Sequence, residues 1–134
     1  MKQGIQTDFP HKALRESGCY FFCLLRWAEI ATDAGLTNEQ IIGFYHYYVN
    51  RGVMESDCFI IDPVAILNSL CRCLIGSAVT RAESPPRAAT YIACLKKPGH
   101  WHFVLSHNGE TWDPLDPERP GVSDYKIDSY RVIA

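Results

Sequence analysis

From residue 20 to residue 31 the chain is apolar at nearly every position. Tyr20-Phe21-Phe22-Cys23-Leu24-Leu25 runs on into Trp27, Ala28, Ile30 and Ala31, with only Arg26 and Glu29 breaking the run. The stretch is too long for an ordinary strand, and apolar character on most faces marks a helix in the middle of a domain. Ser17 is the expected N-cap and Gly35 the expected stop. Thr37-Asn38-Glu39-Gln40 has the form of a capping box and starts a second helix through about Asn50, ended by Gly52. Asp62 and Pro63 start a third helix, cap first and proline in the first turn, with Val64, Ile66, Leu67, Leu70 and Cys71 at helical spacing.

Between and before these helices the pattern is weaker. Residues 1–16 read as an extended entry segment or short strand, and residues 54–61 as a short strand. Residues 77–89 are polar, contain Pro85-Pro86 and read as an exposed loop. Beyond them the pattern becomes β. Residues 90–95 and 101–106 are strands, Asn108-Gly109 is a hairpin turn, residues 110–113 return as the partner strand, and residues 130–133 add a last strand. Helices first and an antiparallel sheet second predict one α+β domain over residues 1–134.

Composition narrows the function. With 47% hydrophobic and 21% charged residues, the 134-residue chain is globular in type. The net charge of −2 comes from 13 basic and 15 acidic residues with no like-charged block, so there is no electrostatic footprint of a nucleic-acid binder. No apolar run approaches the ~20 residues of a membrane span, and no secretory signal is visible, which predicts a cytoplasmic protein without a membrane partner. A chain with its own core needs no disulfide staples, so Cys23, Cys58, Cys71, Cys73 and Cys94 read as small buried hydrophobes. The aromatic cluster of Phe44, Tyr45, His46, Tyr47 and Tyr48 reads as a helix face packed on the core with hydroxyls at its edge.

Cys19 differs from the other cysteines. It stands at the first turn of the most buried helix, where free N–H groups and the positive dipole end favour the reactive thiolate. His102 begins the strand His-Phe-Val-Leu, and Asp113 closes Glu-Thr-Trp-Asp. If Asn108-Gly109 is a two-residue loop, His107 pairs with Glu110 and Val104 lies opposite Asp113. His102 and Asp113 then share a face as diagonal neighbours with Cβ atoms about 7 Å apart. That separation suits a carboxylate that orients an imidazole toward a thiol. Each residue alone is more often structural than functional; the three together point to nucleophile, base and orienting acid. His100 is the rival base, and His107 reads as a solvated turn residue. Zinc is the competing use of such residues. However, Cys19 and Cys23, Cys71-x-Cys73 and His100-x-His102 lack the paired Cys-x-x-Cys spacing, so neither metal nor cofactor is expected.

Ser17-Gly18-Cys19-Tyr20-Phe21, His102-Phe103-Val104-Leu105 and Trp112-Asp113-Pro114, in that order, resemble the papain-like cysteine peptidase superfamily. The nearest likeness is to bacteriocin-processing, double-glycine leader peptidases and to small bacterial and phage proteins of the same layout. The resemblance implies a central helix that opens with Cys19, a sheet that carries His102 and Asp113, and a thiol hydrolase acting on a peptide or amide bond of a peptide or protein substrate. The same triad chemistry serves thioesters and non-peptide amides. Those peptidases place a Gln about six residues before the Cys as an oxyanion donor. Here that position is Ala13, with Gln3 and Gln6 upstream and Arg15 as another donor nearby. The departure keeps a second expectation open: an inactive papain-like scaffold that binds a protein partner.

Overall fold

Helices on one face of an antiparallel sheet make up the architecture seen in a computed structural model, which describes residues 1–71 and 78–133. Among the described residues there are four α-helices: α1 (Lys12–Ser17), α2 (Cys19–Thr32), α3 (Asn38–Asn50) and α4 (Pro63–Leu70). Five strands follow: β1 (Val79–Ala82), β2 (Thr90–Lys97), β3 (His100–His107), β4 (Glu110–Trp112) and β5 (Lys126–Ile133). The sheet order is β1-β5-β2-β3-β4, antiparallel throughout. The fold is α+β, as the order of helices first and antiparallel strands second predicts.

The apolar run forms α2, in which Phe21, Phe22, Cys23, Leu24 and Leu25 are all completely buried. They pack with Ile41 and Tyr48 of α3, Ile66 and Leu67 of α4, and Ile92, Leu105 and Trp112 of the sheet. The opposite face of the sheet carries a smaller cluster of Ala93, Val104 and Tyr130. The caps of α3 and α4 are those predicted. Thr37 and Gln40 exchange both bonds of a capping box, and Asp62 accepts from the Ala65 amide. On α3, Tyr45 and Tyr48 are buried and Tyr47 is exposed.

Several local expectations are corrected. Residues 1–16 are not a strand: Ile5–Asp8 is a 3-10 turn and α1 follows it. The N-cap of α2 is Gly18, because Ser17 still belongs to α1, and α2 ends at Asp33 in the left-handed region (φ 51°) rather than at Gly35. Residues 54–61 form no strand. Met54 and Ile60 make one isolated bridge around a turn in which Cys58 has φ 70°. The polar segment after residue 77 is not all loop, since β1 pairs with β5 at the sheet edge. Cys73 and residue 77 lie outside the described residues.

Candidate functional site

The β3–β4 hairpin decides whether His102 and Asp113 meet. Asn108-Gly109 turns it, with positive φ at both residues, and His107 pairs with Glu110. Leu105 then pairs with Trp112, so Asp113 emerges just past the end of β4 on the His102 face. His102 Nε2 lies 2.7 Å from Asp113 Oδ1, and both residues are buried. The parity argument from the two-residue turn holds at the level of atoms.

The carboxylate is held from every side. Arg119 Nη1 donates to Asp113 Oδ2 at 3.0 Å, and the Leu115 amide donates to Oδ1 at 2.9 Å. The Asp113 amide in turn donates to Gln3 Oε1 at 3.1 Å. Burial pushes the carboxyl pKa up, but the hydrogen bond and charge of His102, the Arg119 bond and the Leu115 amide outweigh it, so Asp113 titrates below its ordinary 3.8. Sequence reasoning missed Arg119. It sits in the proline-rich turn after Asp113, where no period marks it, and only its sign and its closeness to an acid hinted at a role.

Cys19 opens α2 and is partly exposed, in contrast to the buried Cys23, Cys58, Cys71 and Cys94. Gly18 permits the abrupt α1–α2 junction: its amide donates to the Leu14 carbonyl at 3.2 Å and its carbonyl accepts from Phe22 at 2.8 Å. A Cβ at residue 18 would stand 2.5 Å from the Leu14 carbonyl oxygen. From Val104 back toward His100, the β4 side of β3 has no strand partner among the described residues, and the Phe103 amide turns to the Cys19 thiol. The Tyr20 and Phe103 rings stack beside it at 4.4 Å. The sulfur therefore stands against the backbone of the residue next to His102, within electrostatic reach of Asp113. Among the described residues it makes no hydrogen bond to the imidazole itself.

The expectation that the helix start yields a ready thiolate is corrected. Burial pushes the Cys19 thiol above its ordinary 9.0. The N–H groups of Phe103, Tyr20 and Cys19 pull it down, Asp113 pushes it up, and burial wins. Cys23 is driven much higher, by complete burial and then by Cys19 and Asp113. Burial, Asp57 and Cys19 push Cys58 up to about 12.

The other sequence candidates fall into distinct places. His100 is exposed and lines the cavity at Cys19, remote in role from the buried His102. His107 is not merely solvated: it is half-buried, with Nδ1 2.7 Å from Thr90 Oγ1. Gln6 is completely buried, its amide bonded to the Pro114 carbonyl and its Nε2 to the Arg15 carbonyl at 3.1 Å. Arg15 is occupied by the Phe9 and Pro10 carbonyls. Among the described residues no group of three or more His, Cys, Asp or Glu is placed to hold a metal ion, and no helix is long and apolar enough to cross a membrane.

A family model described as "Protein of unknown function, DUF261" matches residues 1–134. The chain belongs to the DUF261 family. No curated protein and no solved structure matches it. Within DUF261, therefore, the chemistry of this chain rests on its own side chains.

Proposed function

We propose that this DUF261 protein is a thiol hydrolase with a papain-like arrangement, cleaving a peptide or amide bond with Cys19 as nucleophile, His102 as base and then acid, and Asp113 as orienting group. The observation that carries the reading is the buried 2.7 Å bond between His102 Nε2 and Asp113 Oδ1, with the sulfur that opens α2 against the Phe103 backbone and within electrostatic reach of Asp113. Asp113 fixes the imidazole by Nε2, which leaves Nδ1 to accept the thiol proton. Because burial keeps the thiol protonated, attack and proton transfer go together: His102 takes the proton as sulfur bonds to the carbonyl carbon. His102 then returns that proton to the leaving amine as the C–N bond breaks. Water, deprotonated by the same imidazole, cleaves the thioester and restores the thiol. Catalytic hydrogen bonds are often long in an empty site and tighten around substrate, so a sulfur one residue away from His102 is compatible with this role.

A second reading, a papain-like scaffold that binds a partner without catalysis, is favoured by the raised Cys19 thiol and by Ala13 in place of an oxyanion donor. Losing one such donor costs roughly 10²–10³ in rate. Iodoacetamide separates the readings. In the hydrolase, Cys19 is alkylated faster than Cys23 or Cys58, and His102→Ala slows Cys19 labelling near neutral pH by about tenfold or more, since the base is gone. Equal labelling of the three thiols by peptide mapping, unaltered by His102→Ala, rules the hydrolase out.

A further inference from the structure

The cavity at Cys19 encloses about 530 Å³, the size of a site for several side chains or a small ligand. Separate pieces of chain wall it: Glu16 beside Cys19, Asp57 and Phe59 in the loop before α4, and Trp101 on β3. Phe59 and Trp101 are 63% and 56% exposed. Neither is out in water because its support is loose. The Phe59 turn is closed by bonds from the Glu55 amide to the Phe59 carbonyl (2.8 Å), from the Cys58 amide to the Glu55 carbonyl (2.9 Å) and from the Phe59 amide to Asp57 Oδ1 (3.0 Å). Cys58 is buried beneath it. Trp101 lies opposite Lys96 in the β2–β3 ladder, with Lys96 Nζ 4.8 Å from its ring centroid. Two large rings on fixed backbone at the rim of one cavity contribute nothing to the core, and exposed apolar surface of that kind marks an interaction site.

Charge selects the occupant. Glu16 and Asp57 line both this cavity and the hollow that adjoins it. Among the described residues neither carboxylate takes part in an ion pair. Two cations share these walls: Arg131, whose Nη1 donates to Ser129 Oγ and the Tyr130 carbonyl and whose guanidinium lies over the Phe103 ring, and Lys12, which lines only the adjoining hollow.

We infer that the Cys19 cavity takes a polypeptide segment that presents a bulky apolar side chain to Phe59 and Trp101 and a lysine or arginine to Glu16 and Asp57. What then happens to that segment rests on the hydrolase reading; its binding does not. The test therefore uses the full chain with Cys19→Ala and fluorescein-labelled decapeptides followed by anisotropy. One peptide carries neighbouring Phe and Lys, a second Phe and Glu, a third Ser and Lys. The Phe–Lys peptide binds about fivefold tighter than the Phe–Glu peptide at low salt, and Glu16→Gln with Asp57→Asn removes that difference. Phe59→Ala or Trp101→Ala weakens it by about tenfold, with the circular dichroism unchanged because both rings are exposed. Equal affinity for the three peptides, no binding of any, or preference for the acidic one overturns the inference. Iodoacetamide labelling of the unmodified protein, run alongside, reports the hydrolase reading separately: selective binding with unselective labelling leaves a peptide-binding module, and the reverse leaves a hydrolase of another substrate.

Discussion

Asp113 spends both carboxylate oxygens and its amide on four neighbours: His102, Arg119, Leu115 and Gln3. A carboxylate so held cannot rotate away from the imidazole, and the Arg119 cation is one reason it stays ionised despite burial. Arg119→Met should therefore cost about 1–3 kcal/mol, the penalty of leaving a buried partner unmatched. The pH dependence has a definite sign. Because the folded Asp113 titrates below its unfolded value, its contribution to stability is present above about pH 4 and fades as pH falls through the lower folded value. Removing Arg119 brings the folded pKa back toward 3.8, so acid unfolding of Arg119→Met begins at higher pH. Arg119→Lys restores part of the difference, and titration followed by circular dichroism checks both. The His102–Asp113 pair was legible because a two-residue turn fixes register and register fixes faces. Arg119 was not, since a residue in an aperiodic turn announces no partner.

At the scale of elements the Gly18 junction is the critical joint. Two helices meet with a single residue between them, and α2 starts where its first side chain is the sulfur. A methyl at residue 18 meets backbone at 2.5 Å, not a flexible side-chain end, so Gly18→Ala must pry α1 from α2. Overpacking of this kind costs about 1–3 kcal/mol. Both a lower denaturant midpoint and a changed Cys19 alkylation rate are expected; an unaltered midpoint would show that the junction yields freely. The same joint explains what the pattern of polarity concealed. A six-residue helix such as α1 is too short for a period to emerge, and it runs directly into a helix whose capping position looked like Ser17. Residues 54–61 end in the apolar run Cys58-Phe59-Ile60-Ile61, which reads as a strand, yet among the described residues no strand pairs with it and it closes on itself through one bridge. By contrast, α3 and α4 carry their boundaries in caps and α2 its burial in a long apolar run, and all three were legible to within a few residues.

Across the whole molecule, the opening residues form a strap over the site. The Gly4 amide donates to the Asp113 carbonyl at 3.0 Å and the Gln6 amide to the Pro114 carbonyl at 2.9 Å, while Gln3 reaches Thr111 and Asp113. Contacts over some hundred residues of sequence cannot be read from local pattern, which is why this segment looked like a simple entry strand. Amide hydrogen exchange should find Gly4 and Gln6 protected to the level of the β3–β4 ladder rather than exchanging like a frayed end. Exchange at free-peptide rates would mean the strap is undocked, and Asp113 would lose its bonds to both Gln3 and Gly4.

The strap also bears on the protein's own manufacture. Residues 3, 6, 19, 102, 113 and 119 have to be present together before His102, Asp113 and the Cys19 sulfur are all in position. A growing chain that lacks the last of these holds only part of the arrangement. If the thiol is a hydrolytic nucleophile, it is therefore harmless to neighbouring nascent polypeptides until translation has passed Arg119 and the first residues have returned to close over Asp113.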